Sequence, residues 1–404
     1  MKKFFSKFLF EPNEIRFNTD YVLLRSGRNH VLMIFLKSML QFIYTIRRLG
    51  YGFDYHSEAD ICFFSSSQNQ DYALRHLKEM ASTYIHVKSD EKSIDGNYYP
   101  WRLTFLVSLL TLPITLPLYL LFTLNETRSL RVFSYSVDEF LRTPGYVASS
   151  LLILMSIKPK VVIMSNDHNT INRSLCIVAN CMNIKTVYVQ HSPVNQYFPR
   201  MIFRYAFVDG TESEMVYKKN DNDRTHYIKL GALRYVELYP LKKIERKGVR
   251  VLVCVNKLDD VEVVNSYLNT FVKSEIDFKV RLHPAMKSDK AQNLELRPLS
   301  ECLVEYKYVL AGDSGVLVDA VVAGSIALYA VDMSTLDDIY GYARNQIAKE
   351  VSTRSIVDLI NEEQVSPEKQ LKYCTFYDAS CDCVESSKLI SSYRTELEKI
   401  WCVY

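Results

Sequence analysis

Three of the eight histidines stand directly after short apolar runs of the kind that form buried strands. They are His168, His191 and His283, and the last is followed by Pro284, which prevents the strand from continuing. An imidazole titrates near neutral pH and can move a proton to or from a substrate. A lone histidine is more often structural, but three at strand ends indicate one site.

Carboxylates stand at the same strand ends. Asp167 lies beside His168 after the run Val161–Met164, and Asp209 follows another apolar run. We predict Asp167 as the catalytic base, because the positive end of the helix that follows would keep it ionised. The same dipole lowers its basicity, so His168, His191 and Asp209 stay candidates. The competing interpretation is that Asp167 or Asn169 only caps this helix by bonding its free amides.

A second kind of motif is a strand, a turn of small residues and a helix, in Asp313-Ser314-Gly315 with Asp319 one helical turn further on. Free amides at the helix start and the Ser314 hydroxyl would form a cradle for a phosphate group. Asp319 is placed to accept a hydrogen bond from a ribose or sugar hydroxyl. Asp313 is also interpreted as a simple helix cap.

These side chains need elements that bring them to one place. Apolar runs of strand length alternate with helical stretches, which is typical of βα units on a parallel sheet, and such sheets bind ligands at the carboxyl ends of their strands. The first series of predicted strands is 61–64, 84–87, 131–135, 161–164, 186–190, 206–208 and 227–229. The second series is 249–255, 278–282, 294–296, 308–311 and 326–330.

The predicted fold class is therefore α/β, with two Rossmann-like parallel-sheet domains that face a central cleft. The first domain is predicted at 1–238 and the second at 249–385, joined by the polar linker 239–248. Apolar residues at helical spacing in 386–404 predict a C-terminal helix that packs back across the domains.

Composition narrows the function classes. The chain has 404 residues, 48% of them hydrophobic, and a net charge of +3, so it is neither disordered nor basic enough for a typical nucleic-acid binder. No GxGxxG, GxxxxGK[ST], HExxH or GxSxG motif is present. The nine scattered cysteines predict reduced thiols in a cytoplasmic protein and no metal site.

One segment departs from the globular pattern. Residues 103–124 carry no charge and include Pro113 and Pro117. Aromatic and basic residues flank the segment, as is common at membrane interfaces. Two interpretations of this segment stay open: a buried helix of the first domain, or a patch that rests on the membrane surface. A helix that spans the membrane is less favoured, because it would put the two halves of one domain on opposite sides of the bilayer.

The two domains, the strand-His283-Pro284 and the strand-Asp-Ser314-Gly-helix together resemble the GT-B glycosyltransferase superfamily. Residues 158–192, with a strand, an Asp loop, a helix and a Gln-His pair, are similar to bacterial capsule, lipopolysaccharide and teichoic-acid transferases. The motifs are also similar to those of sialyltransferases, polysialyltransferases and Kdo transferases. That resemblance implies that His283, Pro284 and Ser314 hold the phosphate and ribose of a CMP-sugar.

The resemblance implies a glycosyltransferase that moves a sugar from a nucleotide-sugar donor, with a CMP-sugar favoured, to a capsule, O-antigen or lipooligosaccharide acceptor. Asp167, His168, His191 and Asp209 are the expected catalytic residues, and the donor is expected at His283, Pro284, Asp313, Ser314, Gly315 and Asp319. No metal or other cofactor is expected, because amides, helix dipole and histidine supply the positive field. The expected location is the cytoplasm, peripheral on the inner face of the cell membrane, with a glycan or lipid-linked glycan acceptor.

Three alternatives stay open. A UDP-N-acetylglucosamine 2-epimerase-like enzyme has the same two-domain fold and would use the donor without an acceptor. A polyol-phosphate transferase of the teichoic-acid type is a second alternative. A catalytically silent glycan-binding protein is the third, and it would bind nucleotide weakly or not at all.

Overall fold

The structure is a computed structural model, which describes residues 6–26, 30–44, 46, 48, 58–89, 97–123, 125, 129–219, 224–246, 248–257, 259–283, 286, 293–334, 338–361, 365–381 and 385–402. Two parallel sheets organise these residues, as the sequence predicts. Pro284, expected in the donor site, lies outside the described residues.

The first sheet has seven strands in the order β3-β2-β1-β4-β5-β6-β7, and every neighbouring pair is parallel. Its central strands are buried over their whole length, as expected of a sheet covered on both faces. The strands are β1 (Ile61–Ser65), β2 (Tyr84–Lys88), β3 (Asn97–Tyr98), β4 (Val161–Met164), β5 (Lys185–Val189), β6 (Tyr205–Val208) and β7 (His226–Lys229).

The second sheet has five parallel strands in the order β12-β11-β10-β8-β9. Its strands are β8 (Arg250–Val255), β9 (Asp277–Leu282), β10 (Tyr308–Ala311), β11 (Ile326–Ala330) and β12 (Lys349–Val351). Between the two sheets the chain forms short 3-10 turns at Leu233–Tyr235 and Tyr239–Lys243, the second within the predicted linker.

Helices cover the sheets and form an additional helical layer on the first domain. The α-helices of the first domain are α1 (Thr19–Ser26), α2 (Val31–Tyr44), α3 (Gln68–Met80), α4 (Trp101–Phe122), α5 (Leu130–Ile157), α6 (Thr170–Cys181) and α7 (Thr211–Lys218). Those that follow are α8 (Val261–Lys273), α9 (Leu299–Glu305), α10 (Val316–Val322), α11 (Ile356–Asn361), α12 (Pro367–Cys374) and α13 (Ser386–Cys402).

Two predicted strands are wrong. Residues 131–135 belong to the long helix α5, which starts where the Ser129 hydroxyl accepts a hydrogen bond from the Val132 amide. Their β-branched and aromatic residues favour a strand locally, but the apolar spacing of the whole helix overrides that preference. At 294–296 the chain makes only an isolated bridge, in which Leu294 pairs with Val280.

Helix α4 carries the apolar segment, and it is not a buried core helix. Only 17% of its most apolar 18-residue window is buried. By length and composition, α4 and α5 could each cross a membrane, but α5 is largely buried in the first domain. A crossing by α4 alone would separate β1 from β4, and these two strands are hydrogen-bonded neighbours. The buried-helix interpretation is therefore wrong, and a single span does not fit the sheet.

Exposed apolar side chains on α4 form one surface with those of α2. The two helices meet where the rings of Phe42 and Phe105 lie 6.4 Å apart, and both helices pack against α5. Pro113 and Pro117 also stand on the exposed side of α4, which continues through both. We call this surface the apolar face; it consists of Leu32, Met33, Leu36, Leu40, Ile43, Tyr44, Leu106, Leu109, Leu110, Ile114, Leu120 and Leu121.

The C-terminal part of the chain returns to the first domain and is anchored there by Asp378. This buried carboxylate accepts hydrogen bonds from the Ala232 amide at 3.0 Å and from the Tyr239 hydroxyl at 2.7 Å. Further along, the ring of Tyr393 in α13 packs edge-on against Phe207 of β6. These contacts join the end of the first sheet, the interdomain turn and the C-terminal helix.

We expect Asp378→Ala to lower the free energy of unfolding by roughly 2–4 kcal/mol, because it leaves the buried Ala232 amide without an acceptor and removes one of the hydrogen-bond partners of the Tyr239 hydroxyl. Chemical denaturation followed by circular dichroism measures the change. The matched control is Asp358→Ala on the exposed side of α11, which should stay within about 0.5 kcal/mol of the wild type. Equal losses in the two variants would contradict the anchoring role.

Candidate active site

A cleft of about 690 Å³ lies between the two domains, where the carboxyl ends of strands from both sheets meet. Six of the predicted site residues line it together: His191 from the first domain, and His283, Asp313, Ser314, Gly315 and Asp319 from the second. The domains approach closely here, since a Cβ atom added to Gly315 would lie 3.3 Å from Cδ of Pro193. Residues predicted from the sequence therefore line the cleft on both of its sides.

Asp167 and His168 do not line the cleft but form a pair next to it. Oδ1 of the buried Asp167 lies 3.1 Å from Nδ1 of His168, and the His168 ring lies 6.4 Å from that of His191, between ring centroids. Burial opposes ionisation of Asp167, but the hydrogen bond and charge of His168 prevail and lower its pKa. Asp167 is thus suited to orient an imidazole.

The capping interpretation of Asp167 is wrong. The turn before α6 is held by Asn166, whose Oδ1 accepts hydrogen bonds from the amides of His168 and Asn169. Arg173 donates to the backbone oxygen of Asp167 and pairs with Glu14, and its positive charge also favours the ionised form of Asp167.

His191 is the first-domain imidazole that reaches the cleft. Burial lowers its pKa to about 3, and the positive charge of His168 adds to this effect. At neutral pH the ring is therefore uncharged and has a lone pair to accept a proton. A phosphate group bound nearby would favour the imidazolium form and raise this pKa.

Asp209 pairs with an arginine that faces the cleft. Its Oδ2 lies 2.6 Å from Nη2 of Arg234, and its amide donates to Oε1 of Gln190. Burial raises the pKa of Asp209, whereas Arg234 opposes this shift. Because its carboxylate is engaged in this pair, Asp209 is placed to hold Arg234 rather than to contact a substrate in the cleft.

Sequence reasoning missed Arg234 and Tyr235, which both line the cleft. The Arg234 guanidinium lies 4.3 Å from the centroid of the Tyr235 ring, and the Tyr235 hydroxyl is hydrogen-bonded to Asp319. Both residues follow β7, so the rule that found the other strand-end residues would also have found them. An arginine in this position supplies positive charge for a phosphate group.

Asp313 is not the helix cap. Its Oδ2 accepts a hydrogen bond from the Tyr329 hydroxyl at 3.2 Å, and the Ser314 hydroxyl instead accepts the bond from the Val316 amide at the start of α10. Burial raises the pKa of Asp313 to about 7, against the Tyr329 hydrogen bond. Burial likewise raises the pKa of Asp319 to about 6, opposed by Tyr235 and Arg234.

His283 stands at the end of β9, exposed to the cleft, with its amide bonded to the Val255 oxygen. Partial burial and the charge of Lys257 lower its pKa. Within the described part of the chain, no three His, Cys, Asp or Glu side chains lie close enough to hold a metal ion. Arg234 and Arg281 are the arginines among the described residues that line the cleft.

Two parallel-sheet α/β domains on either side of one cleft form the GT-B fold, which confirms the fold class that the sequence predicts. No protein-family model matches the sequence, and a search of curated proteins finds no match.

Solved structures of two enzyme classes share this fold. The UDP-GlcNAc 2-epimerase of Neisseria meningitidis, solved with UDP-GlcNAc bound, has a TM-score of 0.53 at 13% identity, over 84% of this chain and 99% of the epimerase. The calicheamicin glycosyltransferase CalG4 has a TM-score of 0.53 at 10% identity, and the match covers 85% of this chain and 99% of CalG4. A putative UDP-N-acetylglucosamine 2-epimerase from Listeria monocytogenes has a TM-score of 0.51 at 9% identity, and the match covers 85% of this chain and 97% of the epimerase. At these identities the likeness establishes the fold.

The raised pKa of Asp313 predicts a pH-dependent stability. A carboxyl whose pKa is higher in the folded state contributes stability below its unfolded pKa of about 4, and this contribution is lost as pH rises through the folded value. Asp313→Asn cannot ionise, so its melting temperature should match the wild type near pH 3 and exceed it near pH 8. The expected gain is roughly 1 kcal/mol, after allowance for solvent screening.

Differential scanning calorimetry across this pH range measures the gain. The exposed Asp358→Asn variant is the control and should follow the wild type at every pH. A constant difference between Asp313→Asn and the wild type would contradict the assignment.

Proposed function

We propose that this chain is a glycosyltransferase that moves a sugar from a nucleotide-sugar to an acceptor of a bacterial cell-surface glycan. The main support for this proposal is the cleft between the domains. His191 of the first domain lines it together with His283, Ser314 and Asp319 of the second. This arrangement offers a neutral imidazole for an acceptor hydroxyl on one side and hydrogen-bond donors for a phosphate on the other. The motifs at His283 and Ser314 favour a CMP-sugar as the first donor to test.

The proposed reaction forms one bond and breaks one. The acceptor oxygen bonds to the anomeric carbon of the sugar, while the bond from that carbon to the donor phosphate oxygen breaks. His191 takes the proton of the acceptor hydroxyl, and the Asp167–His168 pair positions the rings behind it. His283, Arg234 and the amides near Ser314 stabilise the negative charge that the leaving phosphate acquires.

An acceptor at a membrane surface fits the apolar face of α2 and α4. Leu110 on this face is 69% exposed and Ile114 is 59% exposed, on a helix with no charge between Leu103 and its end. Large exposed apolar patches mark interaction sites, and apolar side chains on a protein surface can be buried at the boundary between lipid headgroups and acyl chains. The exposed apolar face supports the proposal that the enzyme works at the cytoplasmic face of the cell membrane.

A 2-epimerase is the second candidate, favoured by the equal likeness of the fold to the Neisseria meningitidis enzyme. The two functions differ in their requirement for an acceptor. An epimerase would convert the nucleotide-sugar into its 2-epimer alone, whereas a transferase would release the nucleotide only with an acceptor present. Mass spectrometry and chromatography of the products, with CMP-, UDP-, CDP- and GDP-sugars as donors, distinguish them.

We expect His191→Gln to reduce kcat of transfer by about 10²–10⁴-fold with a small change in KM for the donor, because it removes the base but not the donor contacts. His283→Ala should lower kcat and also weaken nucleotide binding, measured as a smaller thermal shift. The control is His226→Gln, an exposed histidine at the start of β7. Near-normal turnover of His191→Gln would exclude it as the base.

Charge on the apolar face should weaken membrane binding. Leu110→Glu combined with Ile114→Glu should reduce binding to anionic phospholipid vesicles at least tenfold in flotation assays, because a carboxylate in the headgroup region is costly. The control is Leu296→Glu on the second domain, where the side chain is 84% exposed but lies outside the apolar face. Equal flotation of all three proteins would contradict membrane docking through this face.

A further inference from the structure

A second cavity, of about 450 Å³, lies in the first domain between the apolar face and the end of the first sheet. Three arginines line it: Arg16 before α1, Arg48 after α2, and Arg142 in the middle of α5. Among the described residues of the lining, Glu139 is the one acidic side chain. We call this cavity the arginine pocket.

The three guanidinium groups are held in place by neighbouring side chains. Arg142 lies 3.2 Å from Oε1 of Glu139 and 2.6 Å from Oδ2 of Asp138, while Arg16 lies 3.6 Å from Oε1 of Glu139. Arg48 stacks on the ring of Trp101, with its guanidinium carbon 4.6 Å from the ring centroid. A site built from fixed guanidinium groups is organised for an anion before the anion arrives.

The charges of the pocket favour an anion. Burial opposes ionisation of Glu139, but Arg142 and Arg16 prevail and lower its pKa, so it neutralises one of the three positive charges. Asp138, which pairs with Arg142 from outside the lining, has its pKa raised by burial. Among the described residues, three guanidinium groups stand against the carboxyl groups of Glu139 and Asp138, so positive charge is in excess even when both carboxyl groups are ionised.

The position of the pocket relates it to both the apolar face and the catalytic cleft. Tyr44 of α2, an apolar-face residue, lines the pocket, and so does Trp101 at the start of α4. On the other side, Asn169 and Thr170 line it, directly after His168 of the pair beside the cleft. A molecule in this pocket therefore has the apolar-face residue Tyr44 on one side and, on the other, Asn169 and Thr170, which follow His168 in the chain.

We propose that the arginine pocket binds the phosphate or diphosphate group of a lipid-linked acceptor, with the lipid chain lying along the apolar face. The inference rests on the proposed function, because it assigns the acceptor of that reaction. Arg16, Arg48 and Arg142 donate to the phosphate oxygens, and the sugar attached to the phosphate extends past Asn169 towards His191.

Fluorescence titration tests the proposal, because Trp101 lines the pocket and Trp401 is the other tryptophan of the chain. In a Trp401→Phe background, farnesyl diphosphate should change the emission of Trp101. Arg16→Gln and Arg48→Gln should each weaken this binding about tenfold or more, as expected for loss of a charge-assisted hydrogen bond. Arg102→Gln, an exposed arginine of α4 outside the lining, should bind as the parent protein does.

Two further probes identify the source of the phosphate. Farnesol and inorganic pyrophosphate should each bind at least tenfold more weakly than farnesyl diphosphate. Equal affinity for pyrophosphate would overturn the lipid assignment, and absence of an emission change, or unchanged affinity in both arginine variants, would overturn the site. A nucleotide thermal shift on the same parent protein separates the two proposals: if it persists while farnesyl diphosphate fails to bind, only the acceptor site is wrong.

Discussion

The buried carboxylate of Asp378 is the contact on which the arrangement of the two domains depends. It accepts hydrogen bonds from an amide just after β7 and from the Tyr239 hydroxyl in the interdomain turn, so one side chain fixes where the chain leaves the first sheet. The neighbouring residue Ala379 donates from its amide to the backbone oxygen of Asp209, beside the cleft. The position of Asp209 beside the cleft is thus fixed by Asp378 and Ala379, which are far from it in the sequence.

The arrangement of the two domains gives each candidate catalytic side chain a different degree of burial and different charged neighbours. Strand ends of two sheets meet at the cleft, and each side chain there is buried to a different extent. Burial keeps His191 neutral, while an ion partner holds Asp209. The same protein surface thus supplies an uncharged imidazole and a fixed guanidinium a short distance apart.

Sequence periodicity predicted most of the strands and six of the residues that line the cleft, because a parallel strand and the loop after it are local features. It failed at 131–135, where strand-like residues lie inside a helix of 28 residues. Arg234 follows β7 and was within reach of the same strand-end rule, but its pairing with Asp209 is a tertiary contact that the sequence does not show. The arginine pocket was equally inaccessible, since its arginines come from three separate helical segments and only tertiary packing brings them together.

The order of strands in the first sheet also has a consequence for synthesis of the chain. Ile61 of β1 pairs with Val161 of β4, so the centre of this sheet closes only after a hundred further residues have been made. Helices α2 and α4 leave the ribosome before that closure and expose their apolar side chains while the sheet is incomplete. Contacts of such sequence separation form slowly. In the nascent chain, the residues of the apolar face are therefore accessible to a chaperone or a bilayer before the core of the first domain has formed.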